Sequence, residues 1–215
     1  AALALLVFVL PSLVEVVTDW WWFDELGHQA TYATVLGAQA TLGGLAFAVS
    51  LAWLTTHLRL AARTLPVESQ VVSTPEGLTL ALPARREMQT LGAVVAAGAA
   101  LLAALYAASS WQDFLGWQQA EQFGTTDPIL GYDVAFYVFT LPMLELLRSF
   151  ALVQVAVAAA GAGALYLLGG QMAITPFGVR LGARARRHLG LLAAVFLVLA
   201  AAGAWLDGPR TLRTP

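Results

Sequence analysis

The sequence predicts an all-α fold: a polytopic bundle of about five transmembrane helices, with interfacial or re-entrant segments in the outer connections. Three observations carry this. Hydrophobic residues make up 59% of the chain and charged residues only 11%, against ~25% charged in an average soluble domain. The mean hydropathy is +0.73. The apolar residues also gather into stretches of membrane-spanning length. A soluble globule of 215 residues could not cover so much apolar surface with so few charges. Low charge, the lack of a glycine period and the absence of cysteine exclude disordered, collagenous and disulfide-stapled chains. The net charge of −2 gives nucleic acid nothing to bind.

A spanning helix needs ~20 mostly apolar residues, because the hydrocarbon core is ~30 Å thick and each residue rises about 1.5 Å. The passes are expected near 1–17, 34–57, 91–111, 148–168 and 189–206. The first is not read as a secretory signal, since it lacks a basic start and TDWWWF is no small-residue cleavage site. The chain starts inside one apolar run and stops just after another. It is therefore read as the transmembrane domain, 1–215, of a longer protein.

Charge placement gives the orientation. All eleven basic residues are arginine. Arg59, Arg63, Arg85 and Arg86 lie in the second connection, and Arg180, Arg184, Arg186 and Arg187 in the fourth. The first and third connections hold Asp19, Asp24, Glu25, Asp113, Glu121, Asp127, Asp133 and Glu145, with no arginine. The positive-inside rule then places the N-terminus and the arginine-bearing connections in the cytoplasm, with the chain in the inner (plasma) membrane. Trp20, Trp21, Trp22, Phe23, Trp111, Phe114, Trp117 and Trp205 fall on the outer side and predict an aromatic belt, with Trp53 its counterpart on the inner side.

The connections carry structure of their own. Trp111 to Gln122 has helical spacing and reads as a short surface helix. GTTDP at 124–128 breaks it, with Asp127 before Pro128 as a turn acceptor. DVAFYVFTLP at 133–142 is too short to span and predicts an interfacial or re-entrant segment feeding the fourth pass. On the inner side, 67–73 and 78–82 predict a small hairpin around TPEG. Residues 175–187 read as a basic surface loop able to touch anionic headgroups.

Small residues permit close helix approach in lipid. Gly92, Ala96, Ala100, Ala104 and Ala108 form a ridge at spacing four on the third pass and predict a tight helix contact. Gly37 with Thr41, and Ala40 with Gly44, give weaker pairs on the second. Phosphate-loop, dinucleotide, zincin and nucleophile-elbow motifs are absent from the sequence, and no catalytic, cofactor or metal residue is nominated. His28, His57 and His188 are far apart and lack metal-ligand spacing; the latter two read as polar residues at inner helix ends. Glu15 reads as a snorkelling acid near the end of its pass, and Gln154 as interhelical glue. The outer acids lack the compact spacing of a cation site and read as caps and turns.

Three segments taken together are more specific than any one. They are TDWWWFDELG at 18–27, FGTTDPILGYDVAFYVFTLP at 123–142, and Arg187-His188-Leu189 opening the fifth pass. In this order they resemble the bacterial and archaeal membrane family called Uncharacterised Protein Family 0182. The resemblance spans nearly all of the chain, while the tail Asp207-Gly208-Pro209-Arg210 departs from the family's usual polar stretch. It implies further passes and a large extracytoplasmic domain beyond this segment, and it transfers no activity. It marks Asp19, Trp20, Trp22, Phe23, Gly124, Asp127, Pro128, Asp133 and Tyr137 as motif residues, and implies that the two outer segments meet each other or that domain.

Two function classes follow. A membrane anchor or scaffold for an extracytoplasmic domain fits the sparse intramembrane charge and the elaborate outer connections. A transporter or channel component would need a polar track, for which only Glu15, Gln39, Gln154 and Pro11 are available. An intramembrane enzyme ranks third, without a catalytic set. The expected partners are the lipid bilayer and other membrane or extracytoplasmic proteins.

Overall fold

The computed structural model describes residues 2–73, 79–176 and 178–213, with side chains over 10–69, 83–176 and 178–212. The elements run α1 (Ala2–Glu25), α2 (Gln29–Ala62), β1 (Gln70–Ser73), β2 (Thr79–Leu82), α3 (Arg85–Ser109) and α4 (Trp111–Gln118). A π-helical turn (Phe136–Thr140) then leads into α5 (Leu141–Leu168), β3 (Met172–Thr175), β4 (Gly178–Leu181) and α6 (Ala183–Arg213). The architecture is an all-α bundle. Among the described residues four helical segments are long and apolar enough to cross a membrane: Gln29–Ala62, Arg85–Ser109, Phe136–Leu168 and Ala183–Leu212. Residues 2–17 of the expected first pass lie in α1.

The helices overrun the expected apolar stretches, because polar flanks such as the aspartates of TDWWWFDE continue the helical hydrogen bonding beyond the apolar run. Helix α2 is central: α3, α5 and α1 pack against it, and α6 packs against α5 and meets α2 through His57 and His188. The main core joins Leu54, Leu58 and Ala62 of α2 to Ala158, Ala162 and Tyr166 of α5 and Leu192 of α6.

The third-pass ridge makes the tight helix contact that the sequence predicts, and the helix it meets is α2. Ala96 and Ala100 are fully buried and Ala104 and Ala107 nearly so. Its partner on α2 is different from the pairs expected. Gly37 and Gly44 have open space where a Cβ would stand, whereas a Cβ on Gly43 would lie 3.3 Å from the Ala104 carbonyl oxygen and 3.4 Å from the Ala108 Cβ. Helix α2 is apolar on all sides, so small-residue spacing alone could not select the contacting face. Replacing Ala100 with leucine should overpack this seam and destabilise the protein by ~1–3 kcal/mol in a detergent melting assay. Leu102→Ala, on an exposed position, should change little.

Two expectations for the connections are corrected. Residues 175–187 are not a loop. A β3–β4 hairpin pairs Met172 with Leu181 and Thr175 with Gly178, and α6 has begun by Ala183, so Arg184, Arg186 and Arg187 are helical. Gly178, at φ +123, takes the turn conformation closed to side-chained residues. The other hairpin, β1 with β2, forms as expected, pairing Gln70 with Leu82 and Ser73 with Thr79. Its TPEG turn lies outside the described residues. A Thr-Pro-x-Gly sequence stands at 74–77 and again at 175–178, and each hairpin joins two long helices at the arginine-bearing end.

Residues 133–142 are likewise not re-entrant. The segment runs as a π-turn continuous with α5, so the expected fourth pass begins at Phe136. The Leu141 N–H donates to the Phe136 carbonyl five residues back. Pro142 follows immediately and lacks the N–H that an unbroken α-helix requires, a common setting for a widened turn. Helix α6 continues past Leu206 through Pro209 to Arg213. Arg210 there reaches Glu145 of α5, Nε to Oε1 at 2.7 Å, and pairs with Asp207 on its own helix. Deeper in the bundle, Arg148 of α5 donates its Nε–H to the Leu199 carbonyl of α6 at 2.9 Å. Its guanidinium lies over Gly203, where a Cβ would collide with it.

Candidate functional site

Two polar constellations stand at opposite ends of the bundle. The first is a knot at the acid-bearing end. The chain from 123 to 137 closes on itself through two carboxylates. Asp127 Oδ1 accepts the Ile129 N–H at 3.1 Å, and its Oδ2 accepts the Leu130 N–H at 2.6 Å and the Tyr137 hydroxyl at 2.9 Å. Asp133 Oδ1 accepts from Phe123 N and Ala135 N, at 3.1 and 2.8 Å, and Oδ2 from Gly124 N at 2.9 Å. A short antiparallel bridge sits between them: the Asp127 N–H donates to the Tyr132 carbonyl, and the Val134 N–H to that of Thr125. Gly124 and Gly131 turn the chain at φ +71 and +74, where a side chain would be strained.

These hydrogen bonds stabilise the charged carboxylates. The Leu130 N–H and its neighbours hold Asp127 below the usual carboxylate range, and the Ala135 N–H with those of Phe123 and Gly124 does the same for Asp133. The knot is pinned to the bundle beneath it. Tyr137 packs with fully buried Leu141 and with Leu206 of α6, and Tyr132 stacks on Phe136 at 4.6 Å between ring centroids.

Of the sequence-nominated residues, Gly124, Asp127, Pro128, Asp133 and Tyr137 thus converge in one unit. The acceptor roles are divided differently from expectation. Asp127 ties the N–H groups after Pro128, and Asp133 takes the Gly124 N–H. Asp19, Trp20, Trp22 and Phe23 stand apart, at the end of α1. Phe23 stacks on Tyr32 of α2 at 4.9 Å, Trp20 meets the same ring edge-on at 6.3 Å, and Asp19 faces the Tyr32 hydroxyl. Trp22 is exposed and contacts Phe23. The α1 motif is therefore fastened to α2 through Tyr32.

The second constellation joins α2, α5 and α6 at the arginine-bearing end. His57 Nδ1 lies 2.7 Å from His188 Nε2, and His188 Nδ1 lies 2.8 Å from the Tyr166 hydroxyl. The imidazoles stack at 5.0 Å, and the Trp53 indole covers His57 at 4.2 Å. Trp53 Nε1 donates to the Gln154 carbonyl at 3.2 Å. Trp53 is thus engaged within the bundle rather than in an inner aromatic belt. Gln154 is buried and serves through its backbone. Two proton arrangements satisfy the neutral chain. Either Tyr166 donates to His188 and His188 to His57, or both bonds run the other way.

Sequence reading treated His57 and His188 as separate because 131 residues lie between them. Both nevertheless stand near arginine-bearing helix ends, and Arg187-His188-Leu189 was already a motif. That shared end was the available signal.

Comparison with known proteins places the chain. The model of the Uncharacterised protein family (UPF0182) matches residues 1–214. A UPF0182 protein of Kineococcus radiotolerans is 39% identical over 198 residues, covering 90% of this chain and 19% of the relative. Relatives from Trichlorobacter lovleyi and Salinispora tropica are 32% and 35% identical, over 96% and 94% of this chain and 23% and 21% of their own length. The chain thus spans about a fifth to a quarter of the curated relatives it matches. No solved structure matches it. A match to the family model over essentially the whole sequence establishes that the chain belongs to the Uncharacterised protein family UPF0182.

Proposed function

We propose that this chain is the membrane-embedded scaffold of a longer protein, holding other parts of that protein, or a partner protein, against its acid-bearing face. The observation that carries the reading is the closed knot at 123–137. Two carboxylates and a short backbone bridge close it on itself, and it is fastened to α5 and α6. It still presents Phe123, Ile129 and Leu130 as exposed apolar residues, Ile129 at 71% exposure. A rigid platform with apolar side chains suits docking, because little ordering entropy is lost when a partner binds. The greater length of the relatives supplies a candidate occupant.

In this reading the chain sits in the plasma membrane, with its N-terminus and arginine-bearing hairpins cytoplasmic and the knot outside. Exposed Trp21, Trp22, Trp117 and Trp205 gather at the knot's end, as an interfacial belt would. The chain contains no cysteine, so single-cysteine labelling is clean. A membrane-impermeant thiol reagent should reach a cysteine at position 132 from outside and fail at 186; labelling at 186 refutes the orientation. For the scaffold role, a photo-cross-linker at Ile129 in the full-length protein should capture residues beyond this segment or a second protein. Cross-links to lipid alone would refute it.

A further inference from the structure

Beside the Tyr166–His188 contact lies a cavity of about 540 Å³ with an uneven lining. Arg63, from the end of α2, and Arg184 and Arg187, from the first turns of α6, line it together with Thr64. Arg184 and Arg187 are three residues apart and share a helix face. Among the described residues the only ion pairs are those of Arg210 with Glu145 and Asp207, so none of these three guanidinium groups is neutralised by a carboxylate. No acid lines the cavity. Its wall is held in place, because both His188 ring nitrogens are engaged, one by Tyr166 and one by His57.

The remaining lining is aliphatic. Leu60 lies three residues before Arg63 on α2, and Leu191 four residues after Arg187 on α6, so each leucine stands about one turn further into the apolar span than its arginine. Both are exposed, at 42% and 61%. Three arginines and two exposed leucines lining one cavity match a molecule with a compact anionic head and an apolar tail. Guanidinium groups bind phosphate oxygens through paired N–H donors, and all three arginines are exposed to receive them.

We infer that this cavity is a binding site for a phosphate-bearing anion, with the headgroup of an anionic phospholipid as the source its two leucines fit. The phosphate sits among Arg63, Arg184 and Arg187, and an acyl chain runs along Leu60 and Leu191. The inference uses the membrane placement proposed above and is independent of the scaffold role, whose cross-linking test reads the opposite end of the bundle.

The test is thermal unfolding of the full-length protein in a neutral detergent, titrated with short-chain phosphatidylglycerol, short-chain phosphatidylcholine or inorganic phosphate. Phosphatidylglycerol should raise the melting midpoint of the wild type saturably, and phosphatidylcholine should not. The double variant Arg184→Gln/Arg187→Gln should need about tenfold more phosphatidylglycerol, or more, for the same shift. Arg180→Gln, an exposed arginine outside the cavity, should behave as wild type. Its retained response, together with an unchanged midpoint of the unliganded double variant, separates loss of binding from misfolding. If inorganic phosphate alone reproduces the shift with the same arginine dependence, the phosphate site stands and the lipid source is overturned. Equal shifts with phosphatidylcholine, or an undiminished shift in the double variant, overturn the site.

Discussion

Replacing His188 with alanine should lower the stability of the bundle by about 2–4 kcal/mol, one of the largest losses expected from any single polar substitution here. The ring bridges two partners on other helices, at 2.7 Å to His57 and 2.8 Å to the Tyr166 hydroxyl. Tyr166 and His57 are both buried, so each would keep an unpaired polar atom away from water. That penalty exceeds the modest net value of the bonds themselves. The cost should therefore fall when all the stranded groups are removed together. A His57→Leu/His188→Leu/Tyr166→Phe triple variant should be less destabilised than the sum of its single variants, with an interaction term of about 1–3 kcal/mol in a multiple-mutant cycle. Strict additivity would mean that the three side chains act independently and that the chain of contacts contributes nothing collective.

The second large effect concerns acid and the knot. Asp127 and Asp133 each accept three hydrogen bonds as carboxylates, and both titrate below their ordinary range for that reason. The sign follows from linkage. With the folded pKa lower than the unfolded one, the stabilisation is fully present above the unfolded value of about 3.9. It is lost as pH falls through the folded values. Amide exchange of residues 123–135 should thus stay slow and flat from neutral pH down to the carboxylate range, then accelerate relative to intrinsic rates below it. Asp127→Asn should keep part of the protection, because the amide oxygen still accepts, whereas Asp127→Ala should release Ile129, Leu130 and the Tyr137 hydroxyl together. In the double variant Asp127→Ala/Asp133→Ala, exchange should approach that of an unstructured chain. If Asn proved as damaging as Ala and added divalent cation stabilised only the wild type, the carboxylates would be cation ligands and not local ties.

Much of this molecule is legible in the linear chain because the information is local. Apolar runs of spanning length make helices wherever they occur, since a helix satisfies every interior backbone group without help from a neighbour. The Gly92–Ala108 ridge is visible for the same reason: spacing within one helix fixes its phase. An Asp-Pro pair flanked by glycines likewise announces a turn bonded to its own nearest neighbours. All of these depend on residues a few positions apart.

The tertiary structure decided what depends on distance. Helix α2 is apolar around its whole circumference, so only packing against α3 selected Gly43 over Gly37 and Gly44 as the point of closest approach. The stretch from Asp133 to Pro142 is too short to span when read alone. Joined to α5 through a π-turn, it became the start of a long helix, because Tyr137 and Leu141 could be buried against Leu206. Continuation of α6 through Pro209 brings Arg210 to Glu145 on another helix. The pairing of His57 with His188 and the convergence of Arg63, Arg184 and Arg187 on one cavity exist only because α2, α5 and α6 end side by side. Periodicity fixes which residues share a face of one helix. Which faces meet is set by the joint packing of all the helices, and no local pattern encodes it.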